Sequence, residues 1–266
     1  MSQLMTKMMI QRSLIPVVAL ITWAGIHQAS AHIYYTGRDF GTLVPDSPVT
    51  ISSNTNTNFG WAEATTETWG DSHHGRFFRF TLTEPMSVKI TVQQTGGDSG
   101  FFPGFSLYEG LAHLSPHKPA HDGSALSVNS RPEGKNGSLR ALHDWSIGND
   151  PTYVIDGDPT SGILHEANLR YFTYVGHAAD GTADNFGDAD GILGDGIADG
   201  WVTGTFQNLA PADYSIFVGG ADLFNQTTGS FAFDVTITAI PEPSTYAFVM
   251  GTAIVGLIFF RRRRRK

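Results

Sequence analysis

Six aspartates crowd into twenty residues of this chain: Asp180, Asp184, Asp188, Asp190, Asp195 and Asp199. Glycine directly follows four of them, Asp180, Asp190, Asp195 and Asp199, which lets the backbone turn sharply around a bound ion. Residues 171–240 hold nine aspartates and no lysine or arginine, so no local cation balances the charge. Ca²⁺ suits such a stretch, because it takes six to eight oxygens from carboxylates and carbonyls in flexible loops. Asp184, Asp188, Asp190, Asp195 and Asp199 are therefore the candidate Ca²⁺ ligands. The spacing is not that of an EF-hand. Phe186 stands where that loop wants a ligand, and no glutamate closes it. The plainer alternative is a set of solvated turns, where Asp and Gly are common in any case.

The histidines offer less. His113, His117 and His121 would share a helical face, but Pro116 and Pro119 argue against a helix there. His73-His74 is a pair without an evident third ligand, and His143, His165 and His177 are isolated. His32 is the sharpest of the ten. Cleavage after Ala31 would leave it at a mature N-terminus, where the free amine and the ring together suit copper. The sequence contains no Gly-x-Ser-x-Gly, His-Glu-x-x-His or Walker motif. A glycosidase carboxylate pair stays open, with no particular pair indicated. Trp61, Trp69, Tyr108, Trp145, Tyr153 and Trp201 have rings that suit sugar stacking, although core is the ordinary place for aromatics in a β protein.

The elements that must hold these residues read as strands. Thirty glycines, eighteen phenylalanines and few charges favour a turn-rich β protein. Phe77, Phe78, Phe80 and Leu82 alternate with Arg79 and Thr81; after Glu84-Pro85, residues 87–92 alternate cleanly. The pair predicts an antiparallel hairpin with one wet face. Further strands are expected at 49–52, 104–108, 171–175, 201–206, 214–218 and 231–238. Many short strands broken by Gly, Asn and Asp predict an all-β fold, a jelly-roll-like β-sandwich over residues 32–240. Residues 110–170 have few strand signals and read as a long excursion, partly ordered by Leu142 and Trp145. No cysteine is present, so disulfides, thiolate metal sites and a cysteine nucleophile are excluded.

The two ends read as addresses. Lys7 and Arg12 precede an apolar stretch at 14–26, and Ala29-Ser30-Ala31 is an A-x-A cleavage site before His32. Residues 1–31 are thus a signal peptide for Sec-type export and signal peptidase. At the other end, Pro241, Glu242 and Pro243 precede an apolar run at 245–260, followed by Arg261, Arg262, Arg263, Arg264, Arg265 and Lys266. Sixteen helical residues reach about 24 Å at ~1.5 Å each, a short transmembrane helix for a bilayer core of ~30 Å. The terminal cations hold that end in the cytoplasm, with the body outside the inner membrane.

This tail, over residues 241–266, resembles the PEP-CTERM sorting signal. The resemblance implies recognition by an exosortase, a membrane transpeptidase-like enzyme, near Pro241-Glu242-Pro243. It also implies a Gram-negative host, commonly one that makes exopolysaccharide. Residues 78–82, 88–92 and 212–220 resemble pre-peptidase C-terminal and carbohydrate-binding sandwiches, and the whole body resembles uncharacterised secreted proteins bearing the same tail. Neither likeness brings an activity.

Setting the two ends aside leaves 9 basic and 24 acidic residues in 32–240, a net charge of −15. Such a body repels nucleic acid and anionic lipid and attracts cations. The sequence as a whole therefore predicts an exported, non-catalytic, Ca²⁺-stabilised surface or extracellular-matrix protein. Two alternatives stay open: an exopolysaccharide-binding module, and a secreted enzyme, either a glycosidase or a histidine-brace copper oxidase.

Overall fold

The computed structural model describes residues 33, 35–62, 69–97, 100–112, 138–147, 170–182, 191–192, 194–222 and 229–242. It is all-β. Alternating apolar residues build twelve strands: β1 (Asp39–Thr42), β2 (Val49–Asn56), β3 (Trp69–Asp71), β4 (Gly75–Thr81), β5 (Met86–Gly97), β6 (Pro103–Glu109), β7 (Ser138–Arg140), β8 (Trp145–Ile147), β9 (Arg170–Ala179), β10 (Trp201–Leu209), β11 (Asp213–Gly220) and β12 (Phe231–Pro241).

Six strands form one sheet in the order β1-β4-β11-β6-β9-β8, and four form a second in the order β10-β5-β12-β2. β3 and β7 make a small third pair. The two larger sheets face each other across a core that includes Phe78, Phe80, Phe105, Ile216 and Val218 from the first sheet. Val88, Ile90, Val92, Phe206, Phe233, Val235 and Ile237 meet them from the second. Phe78 meets Phe233 edge-on with ring centroids 6.4 Å apart, and Phe105 meets Phe206 edge-on at 6.1 Å.

The six-stranded sheet is buried on its other face as well. There Phe77, Tyr108, Phe172 and Phe217 pack against Trp61, Leu139, Leu142, Trp145, Ile33 and Tyr35. Trp145 stacks on Phe172 with ring centroids 4.3 Å apart. Hydroxyls that fall on this face find partners. Trp61 Nε1–H donates to Ser106 Oγ at 2.8 Å, and Tyr35 Oη lies 2.8 Å from Ser215 Oγ. Burial holds the Tyr108 hydroxyl far above its ordinary pKa. Leu142 and Trp145, the residues expected to order the excursion, are both in this second core.

The expected hairpin between β4 and β5 does not form. β4 pairs with β1 and β11, β5 pairs with β10 and β12, and residues 82–85 carry the chain from one sheet to the other. The reason lies in the side chains. β4 carries phenylalanine on both faces, Phe77 outward and Phe78 and Phe80 inward, and all three are buried. Burying each phenylalanine is worth about 1.5–3 kcal/mol, which favours a sheet covered on both sides. β5 buries only one face, since Lys89 and Gln93 are exposed.

Candidate functional site

The acidic turn starts where β9 ends. Asp180 N–H donates to Pro103 O at 2.8 Å, which fixes the turn against β6. The Asp180 side chain is fully buried. Its Oδ1 accepts from Asp199 N–H at 3.1 Å and its Oδ2 from Gly200 N–H at 2.7 Å. Asp195 Oδ1 accepts from Gly181 N–H and Ile197 N–H, both at 3.2 Å. Asp199 Oδ1 accepts from Trp201 N–H at 3.1 Å, at the first residue of β10. Gly200, at φ +79°, takes the left-handed conformation the turn requires.

Three of the six clustered aspartates are therefore brought together, Asp180 and Asp195 accepting backbone N–H groups across the turn and Asp199 one from two residues further on. Asp180 is the residue this arrangement depends on most, because one buried carboxylate holds both strand-entry amides of β10. Burial pushes its pKa up to about 6, the two N–H donors oppose the rise, and the charges of Asp195 and Asp199 add to it. Asp180 stood in the sequence cluster but outside the proposed ligand set; the signal for it was its place directly after the buried end of a strand. Asp184, Asp188 and Asp190 lie outside the described residues. Among the described residues, no group of three His, Asp or Glu side chains is arranged to hold a metal ion.

The histidines go to separate partners. His73 Nδ1 lies 2.7 Å from Asp71 Oδ1, while the neighbouring His74 Nδ1 lies 3.3 Å from Thr57 Oγ1. His177 Nδ1 is 2.5 Å from Tyr174 Oη, and burial lowers its pKa. His32, His113, His117, His121 and His165 lie outside the described residues, as do Ala29 and Ala31. Of the aromatics, Trp61, Trp69, Tyr108 and Trp145 are core, Trp201 is exposed, and Tyr153 lies outside the described residues.

The sorting tail begins inside the fold. Pro241 is the last residue of β12 and pairs with Met86. Glu242 Oε1 accepts from Ser87 Oγ at 2.7 Å and from Asn208 N–H at 3.3 Å, so β12, β5 and the end of β10 together hold the start of the motif. Pro243, the apolar run and the cations from Arg261 to Lys266 lie outside the described residues. Among the described residues no helix is long and apolar enough to cross a membrane.

A profile described as the PEP-CTERM protein-sorting motif matches residues 239–265. The chain thus carries an exosortase sorting signal at the end of an exported all-β body. This signal implies export, transient membrane anchoring and then surface localisation. No curated protein matches the sequence. Among solved structures, the chain is similar to CorA, a surface-associated copper-binding protein important in copper acquisition by Methylomicrobium album BG8. The two share 16% identity over 76% of this chain and 98% of that one, with a TM-score of 0.48. It is also similar to mercury-soaked MopE, a secreted protein of Methylococcus capsulatus in which an oxidised tryptophan facilitates copper binding. Here identity is 17% over 77% and 87% of the two chains, with a TM-score of 0.42. PliG, a periplasmic inhibitor of g-type lysozyme from Aeromonas hydrophila, matches at 12% identity over 76% and 98%, with a TM-score of 0.23.

Proposed function

We propose that the body is a non-catalytic surface or extracellular-matrix domain whose acidic turn is stabilised by Ca²⁺. The observation that carries this reading is the Asp180 turn. A buried carboxylate with a pKa near 6 sits beside Asp195 and Asp199, in a stretch of nine aspartates without a lysine or arginine. Like charges held this close repel, and a divalent cation that takes spare carboxylate lone pairs relieves the repulsion. Asp184, Asp188 and Asp190, which fall between Asp180 and Asp195 in the sequence, are the candidates for the further oxygens that Ca²⁺ needs.

Ca²⁺ here is structural: it binds the folded turn and stabilises it by mass action. The test is a thermal melt of the full chain in mild detergent, with millimolar CaCl2 against EDTA. A rise in midpoint of several degrees with Ca²⁺, reduced in Asp188→Asn/Asp190→Asn, supports the reading. An unchanged midpoint overturns it.

A further inference from the structure

The outer face of the four-stranded sheet carries rows of hydroxyl side chains. The registers align Thr50, Thr236, Thr91 and Thr203 side by side across all four strands. The hydroxyls of Thr50 and Thr236 are 2.8 Å apart, and those of Thr91 and Thr203 are 2.9 Å apart. Toward the acidic turn, the next row holds Asp234, Gln93 and Trp201, with Ser52 Oγ donating to Asp234 Oδ2 at 3.0 Å. On the other side, Thr238, Lys89 and Thr205 make a third row. With strands ~4.8 Å apart and same-face residues ~6.8 Å apart along each strand, the three rows cover a flat area of roughly 14 by 14 Å.

Threonine rows alone need no ligand, because threonine suits an exposed strand. Trp201 is different. It is 47% exposed, while Trp61, Trp69 and Trp145 are buried. Its Nε1–H donates to Thr203 Oγ1 at 3.1 Å, which ties the indole along its own strand. Its backbone N–H is held by Asp199, and the preceding Gly200 by Asp180. A large aromatic ring is thus fixed in the open beside an array of hydroxyls that are already oriented by one another.

We propose that this face binds a neutral polysaccharide, with Trp201 stacking on one sugar ring and Thr203, Thr91 and Gln93 hydrogen-bonding its neighbours. A pyranose ring offers an apolar C–H face that packs on an indole, and a rim of hydroxyls that both donate and accept. Threonine hydroxyls and the glutamine amide also both donate and accept. Hydroxyls already held in place lose little entropy when they bind. Charge selects the polymer. The three rows carry one cation, Lys89, and one anion, Asp234, with Glu242 bonded to Ser87 one row beyond, on a body of net charge −15, so an acidic chain is repelled and a neutral one is not. The acidic turn holds the Trp201 backbone, but the stacking face itself needs no Ca²⁺, so the two tests fail separately.

The experiment is affinity electrophoresis of the full chain in mild detergent. The gels contain hydroxyethylcellulose, galactomannan, dextran or, as the acidic polymer, alginate. Retardation is expected on at least one neutral polymer and not on alginate. Trp201→Ala should lower the apparent affinity at least tenfold with an unchanged thermal midpoint, Trp201→Phe should retain part of it, and Thr91→Val/Thr203→Val should lower it several-fold. Three results would each overturn the proposal: no retardation on any neutral polymer, retardation on alginate alone, or a folded Trp201→Ala chain retarded like the unaltered protein.

Discussion

Asp180 links acid–base chemistry to the geometry of the turn. Its pKa in the fold, about 6, lies above the ordinary carboxylate value, so the folded state holds its proton more tightly than the unfolded chain. The stability this adds is complete below about pH 4 and is lost as pH rises through about 6. Without Ca²⁺, the thermal midpoint should therefore fall between pH 4 and pH 6 on account of this residue. Asp180→Asn should remove that component, which melts at half-unit pH intervals would detect; an unchanged slope would contradict the assignment. Ca²⁺ favours the charged carboxylates, so its stabilising effect should be larger at pH 7 than at pH 5. The residue types of this turn were legible in the sequence. What was hidden was that Asp180, Asp195 and Asp199 spend oxygens on backbone amides, since those contacts depend on how the turn folds back on β9 and β6.

At the scale of elements, the strands were visible because their side chains alternate, and all six expected outside the hairpin are present with ends shifted by a few residues. Sheet membership was not visible. It depends on which distant strand covers each face, and the choice for β4 was decided by Phe77 on the face that the hairpin would have left wet. Trp201 did carry a signal: it shares strand parity with Thr203 and Thr205, opposite to the buried Val202 and Phe206. The outer core also explains why certain strand positions are glycine. A Cβ at Gly219 would lie 2.7 Å from the backbone nitrogen of Trp61, and one at Gly104 would lie 2.3 Å from its ring. Gly219→Ala must push the Trp61 backbone off the sheet, an overpacking cost of about 1–3 kcal/mol. At roughly 2–4 °C per kcal/mol for a domain of this size, the midpoint should drop by some 2–12 °C. A Gly219→Ala chain that melts like the unaltered protein would refute this seat for Trp61.

For the whole molecule, the charge divides the chain into an acidic body and a cationic tail, and the overall value of −8 conceals a body at −15. The tail was the most legible part, because its order of Pro-Glu-Pro, apolar run and arginines needs no tertiary structure to be read. The fold adds that the motif starts on β12, with Glu242 held by Ser87 and Asn208. Sorting and body are therefore joined without a spacer on the body side. The most direct measurement is tail removal in an exosortase-bearing host, followed by immunoblot for the chain carrying Pro241→Ala/Glu242→Ala/Pro243→Ala. Ser87→Ala serves as the control that releases Glu242 but keeps the motif. If Pro241-Glu242-Pro243 is the sorting signal, the triple variant keeps its tail and stays at the inner membrane while Ser87→Ala is processed; processing of the triple variant at the normal rate would show that the motif does not direct sorting.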